Sequence, residues 1–437
     1  MKYADRVSEI LNAFSPAPLK IEQMDEFYCD DTMEYRTSDK YSSPLEDIFD
    51  GCQEAGEDNA FLLLGHRGCG KSTELNRLAE KLVSNGYWVK TIICNLDLDL
   101  NNMMYTDLFI LMGDALLQIA EELECEIDGE LLDGIMDFWQ EGVETTVSQE
   151  SDGILAEAGS SAETPGIFAK IFKIFAKIKM DLKYSEETRR EYRRKISVRS
   201  SEWIGMLNRI AEEIAQNADG KLPIMIFEDL DKLNPENAWE TFYNYAAVLS
   251  GMRFPVIYTF PIALAYDKRF SAMESYFITK TLPMIKIETI DGQPFEAGIN
   301  IIREIVGKRA DMRLFEPGVL EELIRYTGGS LRDLFMAINA SAKRAKRRNG
   351  ETIAMEDAER ALEEIKTTLT RRIEQNDYEF LLNVYRGNKE LIEDKEMLLK
   401  MLQASVMLEY NGKRWHNVHP LVVKFFKEQG MIADVGE

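Results

Sequence analysis

The residues Gly65-His66-Arg67-Gly68-Cys69-Gly70-Lys71-Ser72-Thr73 follow an unbroken apolar run, Ala60-Phe61-Leu62-Leu63-Leu64. That run reads as a buried parallel strand. After Thr73, Leu75, Leu78, Ala79 and Leu82 recur at i, i+3, i+4 and i+7, which is one face of a helix. The pattern GxxxxGK[ST] therefore sits between a strand and a helix, the context in which such a loop cradles phosphate. Gly65, Gly68 and Gly70 let the backbone bend with its N–H groups turned inward. The helix N-terminus adds the positive end of its dipole. Lys71 is expected to reach the β- and γ-phosphates of a nucleotide, and the Ser72 hydroxyl to ligate Mg²⁺. All nine residues, from Gly65 to Thr73, are expected to bind the cofactor; Cys69 reads as a small filler.

A phosphate loop that hydrolyses nucleotide needs an acid at the end of a neighbouring strand. Ile224-Met225-Ile226-Phe227 is apolar, and Glu228, Asp229 and Asp231 follow it. The acids emerge at a strand's carboxyl end, where open α/β sheets bind ligands. Glu228 is expected to hold the Mg²⁺ shell, and Asp229 to orient or deprotonate the attacking water.

The order GHRGCGKST, IMIFEDLDKL, VIYTFPIAL, TGGSLRDLF resembles the AAA+/STAND branch of P-loop ATPases, close to origin-recognition-type and bacterial ORC-like members. The resemblance implies a parallel α/β core, a helical lid and a C-terminal winged-helix-like domain. It implies ATP/ADP and Mg²⁺ as cofactors, slow hydrolysis, and a nucleotide state that controls assembly or partner binding, in bacterial signalling or defence. In that family two aspartates end the second motif. Here the first is Glu228, so the acid that meets the metal stays open among Glu228, Asp229 and Asp231. The resemblance puts Thr259 near the γ-phosphate as a first sensor and Arg332 in the lid as a second. Arg269 and Arg253 are the candidates for an arginine acting across a subunit interface. Homo-oligomer or protein partners are expected, and no membrane partner. The alternatives are a DNA-loading ATPase acting through the winged helix and a scaffold that holds nucleotide without turnover.

The expected units are a lead-in (1–58), a core (59–296, with an insertion at about 101–200), a lid (297–349) and a C-terminal domain (350–437). In relatives the lead-in often contacts adenine. A formal net charge of −24 argues against wholesale wrapping of nucleic acid. The five cysteines are odd in number and form no CxxC pair, which reads as free thiols in a cytoplasmic chain. No signal-peptide pattern opens the sequence.

Within the insertion, residues 91–169 carry 18 acids and no Lys or Arg, and a basic stretch follows. The two blocks are expected to pair. Residues 148–165 read as a mobile loop. Residues 166–184 show helical period first and strand period later, with packing on the chain's own domain or on a sister subunit favoured over a membrane surface. Basic runs at 188–195 and 343–348 are read as solvated helix faces, with phosphate contact as the alternative. Asn411-Gly412 predicts a hairpin turn. His416 and His419 are read as packing and polar residues, since no third metal ligand lies nearby.

Overall fold

The computed structural model describes residues 1–30, 36, 43–54, 59–140, 166–387, 389–410 and 414–433. Five parallel strands form the central sheet: β1 (Ala60–Gly65), β2 (Val89–Ile93), β3 (Ile224–Glu228), β4 (Val256–Pro261) and β5 (Ile278–Leu282). Their order is β2-β3-β4-β1-β5. Side chains alternate across β1 as a strand requires. Leu62 and Leu64 enter one apolar cluster, and Phe61 and Leu63 enter another on the opposite face. Both faces of the sheet are covered, which explains why its inner strands read as continuous apolar runs.

On one face lie α1 (Pro44–Gln53) and α2 (Lys71–Ser84), which starts directly at the phosphate loop. The other face carries the helical insertion: α3 (Tyr105–Glu122), α4 (Gly129–Gln140), α5 (Ile167–Tyr184), α6 (Glu186–Val198) and α7 (Ser200–Asn217). Here α5 is one continuous helix, so the strand reading of its second half is corrected. Ile171, Phe175, Ile178 and Leu182 recur at i, i+4, i+7 and i+11 and are buried, with Phe175 against Trp139 and Trp203. Lysines at 177, 179 and 183 fell between apolar residues and imitated a period of two. The apolar stripe is spent on packing. The expected pairing of acidic and basic blocks occurs within the chain. Arg193 Nε donates to Asp107 at 2.9 Å, Lys179 meets Asp114 at 3.0 Å, and Arg209 meets Asp128 at 2.9 Å. The run at 188–195 is therefore not a wholly solvated face, because Arg189 and Arg193 are buried.

The lid comprises α8 (Glu296–Gly307), α9 (Val319–Thr327) and α10 (Leu331–Arg347). The C-terminal part, α11 (Met355–Thr370), α12 (Tyr378–Arg386), α13 (Lys395–Gln403), the antiparallel pair β6 (Met407–Tyr410) and β7 (Trp415–Val418), and α14 (Pro420–Glu428), is winged-helix-like. The Asn411-Gly412 turn and the loop expected at 148–165 lie outside the described residues. One apolar cluster joins the lid, the C-terminal helices and the start of the chain, including Ala4, Ile10 and Phe14. The lead-in is thus built into the lid's core. A backbone bridge from Ala4 to Ala310 fixes it there. No helix among the described residues is long and apolar enough to cross a membrane.

Candidate nucleotide site

The register of β1 with β4 and β5 brings Gly65, Pro261 and Leu282 level, so the phosphate loop leaves the sheet at its carboxyl edge. Gly68 and Gly70 have φ of +87° and +102°, a region open mainly to glycine. A Cβ on Gly68 would lie 2.5 Å from Cβ of Arg332, so the lid's α10 rests directly on the loop. The Arg332 N–H also points to Gly68 O at 3.4 Å. Ser330 caps α10 by accepting from the Asp333 N–H at 3.3 Å.

A cavity of about 410 Å³ opens between core, lid and lead-in, within the usual size of small-molecule sites. From the loop it is lined by Arg67, Gly68, Gly70, Lys71, Ser72 and Thr73. From β3 it takes Glu228, Asp229 and Asp231, and from the lid Ile305, Arg309 and Arg332. The lead-in supplies residues 15–19 and 27–29, the stretch the sequence alone left unassigned. It is pinned to α2 by two bonds: Leu19 N–H to Thr73 Oγ1 at 3.2 Å, and Asn76 Nδ2 to Leu19 O at 2.8 Å. The chain has a P-loop nucleotide-binding fold.

The three acids divide their partners. Asp231 pairs with Lys71 Nζ at 2.9 Å; Lys71 is buried and the Asp231 side chain is 9% exposed. Lys71 Nζ also donates to Gly65 O and His66 O, each at 2.9 Å. Burial opposes the Lys71 charge, but Asp231 outweighs it and leaves the ammonium above its ordinary pKa. Asp229, at φ +72°, sits 2.5 Å from Lys232. Glu228 is held by the Ser72 hydroxyl. Burial pushes the Glu228 carboxyl up to about 7, and the Ser72 bond works against that shift. Ser72 and Glu228 are thus already adjacent at the loop, as a hard, oxygen-liganded cation requires.

Several expected residues stand in different settings. The Thr259 hydroxyl accepts from Leu230 N–H at 3.0 Å and donates to Phe227 O at 3.3 Å. Thr259 is not among the cavity's lining residues, so its hydroxyl braces the acid turn instead of facing a phosphate. The side chains of His66 and Cys69 turn away from the cavity. Cys69 Sγ lies 3.7 Å from Leu282 O, and His66 Nε2 accepts the Glu409 N–H at 2.8 Å. Glu409 in turn accepts from Tyr266 Oη at 2.6 Å, which lies 2.8 Å from His416 Nε2. His419 caps α14 by accepting from Leu421 N–H. Arg269 is bound to Asp267 at 2.6 Å and stacks on Trp239, and Arg253 pairs with Glu212 at 3.3 Å. Neither lines the cavity.

Sequence reasoning missed Glu74, Tyr28, Arg36 and Arg309. Tyr28 Oη donates to Glu74 at 2.9 Å, and Arg36 Nη2 lies 4.0 Å from the same carboxylate. Nothing in the local pattern marks these residues, since they come from distant segments.

Burial holds the His66 imidazole down at about 3, and the nearby Lys71 and His416 add to the shift. The folded chain therefore keeps this ring neutral. Its stabilising contribution is complete above pH 6.5 and is lost as pH falls from 6.5 toward 3. Between pH 6.5 and 5.0 the loss is roughly 1.5 kcal/mol. Urea unfolding of H66Q at the two pH values should show a pH-dependent loss smaller than wild type by about that amount. An equal loss in both proteins would mean that His66 titrates normally.

No family model and no curated protein matches the chain. Solved structures similar along its length include the Aeropyrum pernix ORC2 protein in its ADP form, at 12% identity and a TM-score of 0.40, covering 99% of this chain and 100% of that one. Cdc6p from Pyrobaculum aerophilum is 13% identical, with a TM-score of 0.39, over 96% and 98% of the two chains. A Walker-type ATPase of Pyrococcus abyssi is 15% identical, with a TM-score of 0.43, over 95% and 99%.

Proposed function

We propose that the chain is an ATP-binding molecular switch that hydrolyses its nucleotide slowly and passes the state of its phosphate loop to the C-terminal hairpin. The observation that carries this reading is the double use of the loop. Lys71, the residue suited to the phosphates, is held by Asp231 and by the carbonyls of Gly65 and His66. The next side chain, His66, is the one that β6 grips through the Glu409 N–H. A triphosphate competing for Lys71 must loosen the first set of bonds, and the hairpin is tied to His66, one of the residues whose carbonyl Lys71 holds.

In this reading Ser72 and Glu228 hold Mg²⁺, Lys71 and Arg332 meet the phosphates, and Asp229 orients water. When bound, Mg²⁺ offsets the negative charge on the phosphate oxygens. The Lys232 ammonium, 2.5 Å from one Asp229 oxygen, makes the carboxylate a weaker base, which favours slow turnover. A part in bacterial signalling or defence rests on the resemblance alone. DNA loading has less support, because Arg344 and Arg348 at the basic end of α10 are paired with Glu364 and Asp357.

The test is phosphate release by wild type and D229N, with solution mass measured alongside. D229N should keep nucleotide binding and lose turnover at least about 100-fold. Wild type should change mass or hairpin exposure with a slowly hydrolysed MgATP analogue and not with MgADP. Equal background turnover in both proteins would leave a nucleotide-holding scaffold. No response to either nucleotide would contradict the switch.

A further inference from the structure

Arg309 follows α8 and lines the nucleotide cavity from the lid. It is 5% exposed. Its guanidinium lies over the Phe335 ring at 5.1 Å, and Phe335 is another lining residue. Its Nη1 donates to Ile305 O at 2.7 Å, while its buried Nε has no partner. Among the described residues it makes no ion pair of 4.0 Å or less.

The acids lining the cavity are all engaged elsewhere: Glu74 with Tyr28, Glu228 with Ser72, Asp229 with Lys232 and Asp231 with Lys71. A buried cation without a carboxylate costs stability, and burial lowers the Arg309 guanidinium to about 10. Such a group is retained at a cost, and it faces the cavity. Its position assigns the part of the ligand it meets. Arg332 touches Gly68, whereas Phe335 lies about one helical turn further along α10, roughly 5 Å from it. Arg309 over Phe335 therefore stands beyond the phosphates, in the part of the cavity that Cys29 of the lead-in also lines.

We propose that Arg309, backed by Phe335, holds the nucleobase of the bound nucleotide and selects a purine. This rests on the nucleotide reading given above and names the residue that reads the base. Arginine offers only donors, on a flat, weakly hydrated fork. A purine presents a ring-nitrogen acceptor at N7 in addition to N3, together with a broad face for the guanidinium or the ring to cover. Uracil offers only exocyclic carbonyl acceptors, no ring-nitrogen acceptor, and a single small ring to cover.

The experiment titrates wild type and R309M with MgATP, MgUTP and inorganic tripolyphosphate, reading binding by calorimetry without turnover. Wild type should prefer ATP to UTP, and R309M should bind ATP about tenfold or more weakly. Tripolyphosphate, which has no base, should bind both proteins within about twofold, since the loop is intact. The melting temperature of R309M should stay level or rise, because an unpaired buried cation has gone. R309K serves if R309M does not fold. It keeps the charge but loses the fork, and should lose the preference for ATP over UTP. Unchanged ATP binding in R309M, or equal losses for ATP and tripolyphosphate, would overturn the assignment. A wild type that binds tripolyphosphate and ATP equally would overturn it too. If wild type binds neither, the nucleotide reading itself fails.

Discussion

K71M is expected to abolish triphosphate binding and, at the same time, to destabilise the nucleotide-free protein. The second effect is unusual for a ligand-binding residue and follows from the partners of Lys71. Its ammonium is buried and satisfies three oxygens: Asp231 and the carbonyls of Gly65 and His66. Methionine fills a similar volume but donates nothing. Asp231, 9% exposed at its side chain, would keep a charge with no counterion. Breaking one partner of a buried pair typically costs about 3–5 kcal/mol. The double variant K71M/D231N removes the stranded charge and should recover much of that loss, without restoring nucleotide binding. Denaturant unfolding and nucleotide titration of the three proteins separate the two roles. A K71M protein as stable as wild type would mean that the Lys71–Asp231 bond is not made in solution.

G329A is expected to cost about 3 kcal/mol or more, and to weaken nucleotide binding by moving the lid. Gly329 has φ of +82°, and its Cβ would lie 2.0 Å from Ile285 O, a backbone atom that cannot swing aside. The next residue, Ser330, caps α10, and Arg332 packs on Gly68 two residues later. A shift at position 329 is therefore transmitted to the cavity wall. Gly292 gives the control. It has φ of +78° but nothing within 4 Å of its Cβ, so G292A should pay only the conformational term, about 1–2 kcal/mol. Thermal melts of the two variants measure the difference. Equal shifts would show that the contact with Ile285 does not constrain the lid.

The parts of the fold legible in the sequence were those whose physics is local. The strand before Gly65, the strand before Glu228 and the capped helix after Ser330 each carry their own period and punctuation. The acids at 228, 229 and 231 were legible as a group, but their division of partners was not. That division depends on Ser72, Lys232 and Lys71 meeting them in space. Thr259 illustrates the same limit. A β-branched residue in a strand gives no sign of whether its hydroxyl faces a ligand or a neighbouring turn, and here it bonds Leu230 and Phe227. In sequence the lead-in (1–58) reads as a unit apart from the lid. Its Ala4, Ile10 and Phe14 are too sparse to announce a core, and they become one only against the lid helices. Arg309 and Arg36 were invisible for a related reason. Single cations far apart in the chain acquire meaning from burial, Arg309 without a carboxylate and Arg36 beside that of Glu74, which only the assembled structure reveals.

The central claim is that the cleft between loop, lid and lead-in binds one nucleoside triphosphate. Calorimetric titration of the wild-type chain with a slowly hydrolysed MgATP analogue tests it most directly. One saturable site per chain, lost in K71M, is the predicted result. No saturable binding in wild type, or binding that survives in a folded K71M, would contradict the account.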